Sequence, residues 1–236
     1  MSALQPAHAA TVDTLLQTAV QHFAKADYVA ADGALERLMA RSPGHVEALH
    51  LRGLTQHRMG QHALALVLLE SALRLQPDHA AVLSNTGLVL RALGRPQEAL
   101  ACYDRAVALQ PDFAQAWGNR GNALRDTGKS LLAVDSYRKA LDLQPGYAHS
   151  WHGLGLAYHD VSRWQDAVAA FDRALQCQPD MAVACLDRGN ALRELEAFPD
   201  ALAAYERAIA LRPAYAQAWS NRGVLLKRMG RMQEAL

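Results

Sequence analysis

Three histidines, His149, His152 and His159, fall on one helical face and are the nearest approach to a metal-ligand set in this 236-residue chain. His149 and His152 are one turn apart. His152 and His159 are separated by about two turns, roughly 10 Å of rise, which is too far for one ion, and no cysteine or further carboxylate stands at ligand spacing. Cys102, Cys177 and Cys185 form no Cys-x-x-Cys pair and are odd in number, a pattern of small buried thiols in a reducing compartment rather than a disulfide framework. There is no Gly-x-Ser-x-Gly, His-Glu-x-x-His or glycine-rich phosphate loop, and the scattered Ser, Cys and His lack a base and an orienter. The residues therefore predict no catalytic centre, no metal site and no cofactor. What recurs is the carboxamide: Asn85, Asn119, Asn122, Asn190 and Asn221, with Asp187 in the same series. A carboxamide both donates and accepts, so a row of them can bond the amides of an extended peptide whatever its side chains.

The elements that must carry this row repeat. Pro43, Pro77, Pro111, Pro145, Pro179 and Pro213 are each 34 residues apart, and the test for internal repeats precedes any local motif. With each copy beginning three residues after its proline, the starts fall at Val46, Ala80, Ala114, Ala148, Ala182 and Ala216, with a weaker copy at Val12. Position 8 is Ala19 and then Gly53, Gly87, Gly121, Gly155, Gly189 and Gly223. Position 20 is alanine throughout, Ala31 to Ala235, and position 27 is alanine from Ala72 onward. Large residues fill complementary sites: Leu49, Leu83, Trp117, Trp151, Cys185 and Trp219 at position 4, and Leu69, Tyr103, Tyr137, Phe171 and Tyr205 at position 24. Each unit reads as a helical hairpin. Gly60, Gly94, Gly128 and Gly230 stop the first helix, Pro96 and Pro199 begin the second, and the period-marking proline ends it. Asp78, Asp112 and Asp180 follow that proline and are expected to cap the next first helix through their carboxylates.

Small residues at positions 8, 20 and 27, Trp at 4, an aromatic at 24 and Pro at 32 resemble the tetratricopeptide repeat, over residues 12 to 236. The resemblance implies an all-α fold, a right-handed superhelix (α-solenoid) of helical hairpins whose first helices line a concave groove. Residues 1–11 are expected to be an N-terminal extension. The first copy, with His22 at a usually apolar site, reads as a cap, and the last copy is truncated about five residues into its second helix, so a longer parent chain is expected. Family members that clamp the C-termini of heat-shock chaperones need Lys or Arg at position 5. Here that position is Leu16, His50, Ser84, Gly118, His152, Leu186 and Ser220, which disfavours such a role.

By helical geometry, positions 2, 5, 6, 9, 12 and 13 of the first helices form one stripe. Peptide-binding candidates are therefore Asn85, Asn119, Asp187 and Asn221 at position 6 and Asn122 and Asn190 at position 9. Position 12 is basic in six successive copies, His57, Arg91, Arg125, His159, Arg193 and Lys227. This is either a ridge favouring acidic or phosphate-bearing ligands or a complement to the C-terminal dipole of each first helix. Arg52, Arg120, Arg188 and Arg222 at position 7 are expected to pack their stems between repeats while the guanidinium reaches a carboxylate or solvent. A similar asparagine row lines the repeats of protein O-linked N-acetylglucosamine transferases, and Trp-x-Asn-Arg-Gly at 117–121 and 219–223 looks like bacterial members of that group. The implied reading is a protein-interaction scaffold. The alternative is the substrate-recruiting arm of a glycosyltransferase-like parent, with this chain itself non-catalytic.

Composition limits the partners. With 24 Lys and Arg against 23 Asp and Glu, the formal charge of +1 provides no global field for nucleic acid or an anionic membrane. The longest strongly apolar run, Ala63 to Leu69, is far short of the ~20 residues that span a bilayer, and the start has no secretory pattern. A protein or peptide ligand, a cytoplasmic location and possible self-association through the truncated last repeat are the resulting expectations.

Overall fold

The computed structural model describes residues 11–235. Among them there is no strand; the chain forms thirteen α-helices and a short 3-10 turn, Met232–Ala235. The helices fall in two compact units that divide between Gln110 and Pro111. The first unit holds α1 (Val12–Ala24), α2 (Tyr28–Arg41), α3 (Val46–Arg58), α4 (His62–Leu75), α5 (Ala80–Ala92) and α6 (Pro96–Leu109). The second holds α7 (Ala114–Asp126), α8 (Ser130–Leu143), α9 (Ala148–Asp160), α10 (Trp164–Cys177), α11 (Ala182–Glu194), α12 (Phe198–Leu211) and α13 (Ala216–Arg228). Odd-numbered helices have 13 residues and even-numbered ones 14. From α1 to α12 each odd helix pairs with the even helix that follows it, and within each unit the pairs stack, α13 packing on α12, which is the all-α hairpin architecture expected from the sequence.

The hairpin turns close by one device. The residue in the left-handed region is Gly60, Gly94, Gly128 or Gly230, with φ between 73° and 80°, and elsewhere it is Ala26, Ser162 or Glu196, with φ of 58–59°. The next amide donates back to the helix, as in Arg95 N to Leu90 O at 2.9 Å and Arg163 N to Tyr158 O at 2.9 Å, so carbonyls orphaned at the helix end are satisfied. Glycine takes this conformation without penalty. Ala26, Ser162 and Glu196 take it at some cost, and sequence reading passed over them for that reason.

The first helices are not capped by the expected aspartates. Asp78, Asp112 and Asp180 lie one residue too early; the N-caps are His79, Phe113 and Met181. His45 and His79 cap through their rings, Nδ1 accepting from Ala48 N at 3.3 Å and from Val82 N at 3.4 Å. Asp112 and Asp180 contribute backbone carbonyls to Ala114 N and Ala182 N instead, and the Asp78 carboxylate receives Arg105 Nη2 at 3.3 Å. Pro96 and Pro199 do stand in the first turns of α6 and α12, where the missing N–H costs nothing.

Within a hairpin, the glycine at position 8 exists because the residue at position 24 lies over it. A Cβ on Gly87 would sit 2.7 Å from the Tyr103 ring, one on Gly121 2.7 Å from Tyr137, and one on Gly155 2.5 Å from Phe171. Tyr103, Tyr137, Phe171 and Tyr205 are fully buried. In the four hairpins built from α5 to α12 the core thus has an aromatic ring pressed onto bare backbone, with Leu69 in the same place over Gly53, and dense contact of this kind leaves little room for added volume.

The connections between hairpins are held by indoles. Trp117 Nε1 donates to Pro111 O at 2.9 Å, Trp151 Nε1 to Pro145 O at 2.8 Å and Trp219 Nε1 to Pro213 O at 2.9 Å. Where position 4 is Leu83 or Cys185, an arginine of the second helix replaces the indole as donor: Arg105 Nη2 to Pro77 O at 2.9 Å and Arg207 Nη2 to Pro179 O at 3.0 Å.

Candidate functional site

In each unit, consecutive first helices touch one another as well as their hairpin partners: α1 with α3 and α3 with α5 in the first unit, α7 with α9 and α9 with α11 in the second. Their shared face therefore carries positions 5, 6 and 9 side by side, and the candidate residues can be followed along it.

In the second unit these side chains are linked. His152 Nε2 lies 2.7 Å from Asp187 Oδ2. Asn190 Nδ2 donates to Asp187 Oδ1 at 3.5 Å, while Asn190 Oδ1 accepts from Asn221 Nδ2 at 2.8 Å and from the Tyr205 hydroxyl at 3.0 Å. Four first-helix residues and one core tyrosine thus form one hydrogen-bonded chain from α9 to α13. Asn122 Oδ1 accepts from the Tyr137 hydroxyl at 2.7 Å, and its amide nitrogen makes no hydrogen bond among the described residues. Asn119 is half-buried on α7 and its side chain makes no hydrogen bond among the described residues. The row has a gap at Gly153 because a Cβ there would meet the Tyr137 ring at 2.5 Å. In the first unit, Asn85 Nδ2 lies 2.7 Å from His50 Nε2.

Position 5 is what sequence reasoning missed. His50 entered it only as a residue unlike a carboxylate clamp and His152 as that and as part of a rejected metal set, yet both bond the position-6 residue of the next hairpin, 35 residues on. The available signal was this pairing of position 5 with position 6 one period later. His50 is half-buried, and burial, followed by the nearby His79 ring, pushes its pKa down to about 4 against a smaller opposing pull from Glu47. A neutral ring accepts from Asn85, so the hydrogen bond and the titration agree.

The position-12 cations are largely answered by their own neighbours. Arg125 Nε bonds Asp160 Oδ2 at 2.8 Å, and Ser130 Oγ bonds the same oxygen at 2.8 Å. Arg193 reaches Glu194 at 2.9 Å. His57 Nδ1 is 3.1 Å from His62 Nδ1, and burial lowers the His57 pKa first, with His62 adding to it. His159 stands edge-on to Trp164 with ring centroids 4.7 Å apart. Arg91 is half-buried on α5 and Lys227 is exposed on α13. The position-7 arginines reach back to the preceding second helix, Arg52 to Asp32 at 2.7 Å, Arg188 to Asp172 at 2.6 Å and Arg222 to Glu206 at 3.3 Å, while Arg120 Nη1 donates to Ser136 Oγ at 2.6 Å.

The face offers hydrogen-bond donors, acceptors and two imidazoles. His149, His152 and His159 are separately engaged, and among the described residues no group of three His, Cys, Asp or Glu is placed to hold a metal ion. No described helix is long and apolar enough to cross a membrane. The three cysteines are unpaired.

Sequence profiles of the tetratricopeptide repeat match residues 45–112, 85–148 and 119–182, and a TPR repeat profile matches 189–230. No curated protein sequence matches the chain. Among solved structures, it is similar to a tetratricopeptide repeat protein from Parabacteroides merdae, with a TM-score of 0.74 at 19% identity over 95% of this chain and 89% of that one. PilW, a type IV pilus biogenesis factor, gives 0.82 at 21% identity over 89% of this chain and 97% of its own. YrrB, a TPR protein with an unusual peptide-binding site, gives 0.63 at 17% over 79% and 96%. These likenesses are likenesses of fold, and together with the profile matches and the repeated glycine, aromatic and proline positions they establish that this chain belongs to the tetratricopeptide repeat family.

Proposed function

We propose that this chain is a protein-interaction scaffold, non-catalytic in itself, that binds an extended protein segment along the first-helix face. The observation that carries the reading is the carboxamide capacity left on that face: both polar atoms of Asn119, the amide nitrogen of Asn122 and the carbonyl oxygen of Asn221 stand beside a hydrogen-bonded frame of His152, Asp187 and Asn190. The frame fixes orientation, and the remaining groups match the alternating donors and acceptors of a peptide backbone. The earlier candidates thus take two roles. Asn119, Asn122 and Asn221 contact the ligand; Asp187 and Asn190 hold the frame. On the first unit, taken by itself, Asn85 beside His50 is a candidate contact of the same kind. Arg91, Arg125, His159, Arg193 and Lys227 border the faces, and with Arg125 and Arg193 already paired, acidity in the ligand is a secondary preference. That a solved relative of the same fold has a peptide-binding site supports the class of ligand.

The Trp-x-Asn-Arg-Gly phrase is accounted for by packing: Trp117 and Trp219 hold the connection, Arg222 reaches Glu206, and Gly121 lies under Tyr137. The glycosyltransferase-arm reading therefore rests on resemblance of the asparagine row alone. Trp219 and Val224 on α13 are half-exposed, and self-association through that surface is a separate proposal that a monomeric mass in solution at binding concentrations would reject.

The test selects binding peptides from a random display library on the wild-type chain, then measures their affinities for the Asn119→Ala, Asn122→Ala double variant after circular dichroism has verified its helix content. A loss of about tenfold or more is expected, equivalent to one to two lost hydrogen bonds. Unchanged affinity would refute the assignment of this face.

A further inference from the structure

Position 4 carries an indole in two hairpins of the second unit and on α13, and each indole has a guanidinium over it. Arg120 lies 5.7 Å from the Trp117 ring centroid, Arg222 5.9 Å from that of Trp219 and Arg173 5.4 Å from that of Trp151. Those arginines come from positions 7 and 26. The hairpin of α11 and α12 has an arginine at each of these positions, Arg188 and Arg207, where each indole-bearing unit has one, but its position 4 is Cys185.

The missing ring leaves a hollow of about 380 Å3 between α10, α11 and α12, bounded by Asp172, Leu175, Gln176, Cys185, Arg188 and Arg207. One period earlier, the corresponding pocket around Trp151 and Arg173 is about 280 Å3. Cys185 forms the buried floor. Both guanidiniums are fixed in place, Arg188 by Asp172 at 2.6 Å and Arg207 by Pro179 O at 3.0 Å. Their positions therefore cost nothing further to order when a ring enters.

We propose that this hollow is a docking site for an aromatic side chain of a partner protein, which completes in trans the arginine–indole contact that Trp117, Trp151 and Trp219 each make in cis with a single arginine. Cations aligned over a ring face attract it through the ring quadrupole, more strongly as water is excluded, and the volume is at the small end of the ~300–1,000 Å3 range of ligand sites, enough for a single ring system. A side chain on a polypeptide is the occupant because the slot reproduces the packing of an amino-acid side chain, apolar stems and guanidiniums included. Pro179 O is already taken by Arg207, so the guest needs no N–H of its own. The hollow lies on the opposite side of α11 from Asp187 and Asn190, and this site is independent of the first-helix face.

The experiment is a titration of the isotopically labelled full chain with the peptide Gly-Ser-Gly-Trp-Gly-Ser-Gly and its leucine counterpart, read by amide chemical shifts. The tryptophan peptide is expected to shift Leu175, Cys185 and Arg188 saturably, and the leucine peptide to bind about fivefold to tenfold more weakly. Cys185→Trp, a residue that position 4 already holds on α7, α9 and α13, is expected to fold and to abolish the shifts. Should it fail to fold, Arg207→Met decides, with a loss of about fivefold expected. Absence of saturable shifts, equal binding of both peptides, or binding that survives the deciding variant would overturn the proposal. Free N-acetyltryptophanamide binding more tightly than the peptide would overturn the protein partner in favour of a small aromatic molecule. Asn119→Ala is expected to leave the titration unchanged, which separates this result from the fate of the first-helix face.

Discussion

His152 Nε2 stands 2.7 Å from Asp187 Oδ2, and His50 Nε2 stands 2.7 Å from Asn85 Nδ2, each pair 35 residues apart in sequence. One period plus one residue is the offset that brings position 5 of a first helix against position 6 of the next. The two pairs differ in polarity: Asp187 is an acceptor for the ring, whereas the Asn85 amide nitrogen is a donor to it. The same backbone relationship therefore asks for a ring N–H in one unit and a bare ring nitrogen in the other.

The His50 pair makes stability depend on pH. Its folded-state pKa of about 4 lies below the ordinary 6.5, chiefly through burial and then through the His79 ring. Between those values the unfolded chain binds more protons than the folded one, so stability is full above pH 6.5 and declines as pH falls toward 4, by at most about 3 kcal/mol. The lowered His57 pKa acts in the same direction. Urea unfolding midpoints at pH 7 and pH 4.5 check this. His50→Gln, which still accepts from Asn85, is expected to shrink the difference between them by more than half, and an undiminished difference would assign the acid sensitivity elsewhere.

Gly121 and Gly33 should respond oppositely to the same added methyl. A Cβ on Gly121 would meet three atoms of the buried Tyr137 ring at 2.7–2.9 Å, whereas nothing lies within 4 Å of one on Gly33, in the interior of α2. Gly121→Ala is expected to cost about 1–3 kcal/mol through overpacking, and Gly33→Ala to gain about 0.5–1 kcal/mol through helix propensity. Equilibrium unfolding by urea measures both. A Gly121→Ala variant as stable as wild type would mean that the ring can withdraw.

The hairpin fold was legible because its determinants are local and periodic: proline every 34 residues, glycine at position 8 and an aromatic at 24 each report a backbone or volume requirement of a single unit. The candidate face was legible only as residue types. Whether Asn190 faces a ligand or spends its carbonyl on Tyr205 and Asn221 depends on how the second helix aims its aromatic and on how far the next first helix is displaced, and neither distance is written in one residue's identity. Ser162 and Glu196 were invisible as turn residues because only glycine announces a left-handed conformation. The capping aspartates failed by one position, where His45 and His79 show that a ring nitrogen can do what a carboxylate was expected to do.

Ser162 is accordingly a site of recoverable stability. Its φ of 59° lies in the same left-handed region that Gly60, Gly94 and Gly128 occupy in other hairpins, its side chain is exposed, and its amide already donates to His159 O at 3.0 Å. Ser162→Gly is expected to stabilise the chain by about 0.5–1 kcal/mol, the relief of a non-glycine left-handed residue less the entropy that glycine adds to the unfolded state. Gly94→Ala, the converse change, should cost a similar amount. Thermal unfolding of the two variants should shift in opposite directions; parallel shifts would mean that the turn conformation itself is not what the substitutions change.

The connecting carbonyls supply a sharper comparison. Pro145 O is held by the Trp151 indole N–H, whereas Pro77 O and Pro179 O are held by Arg105 and Arg207, in the hairpins whose position 4 lacks an indole. If holding that carbonyl is the common requirement, Trp151→Phe, Arg105→Met and Arg207→Met should each cost about 0.5–1 kcal/mol in urea unfolding, the net worth of one hydrogen bond at a partly exposed site. Arg173 is the internal control. It occupies position 26 like Arg105 and Arg207 but lies over the Trp151 ring, 5.4 Å from its centroid, with the carbonyl already taken by that indole, so Arg173→Met should cost less than Arg207→Met. Equal costs for Arg173→Met and Arg207→Met would show that position 26 stabilises through its stem and charge alone, and that the exchange of indole for guanidinium between hairpins is not a compensation.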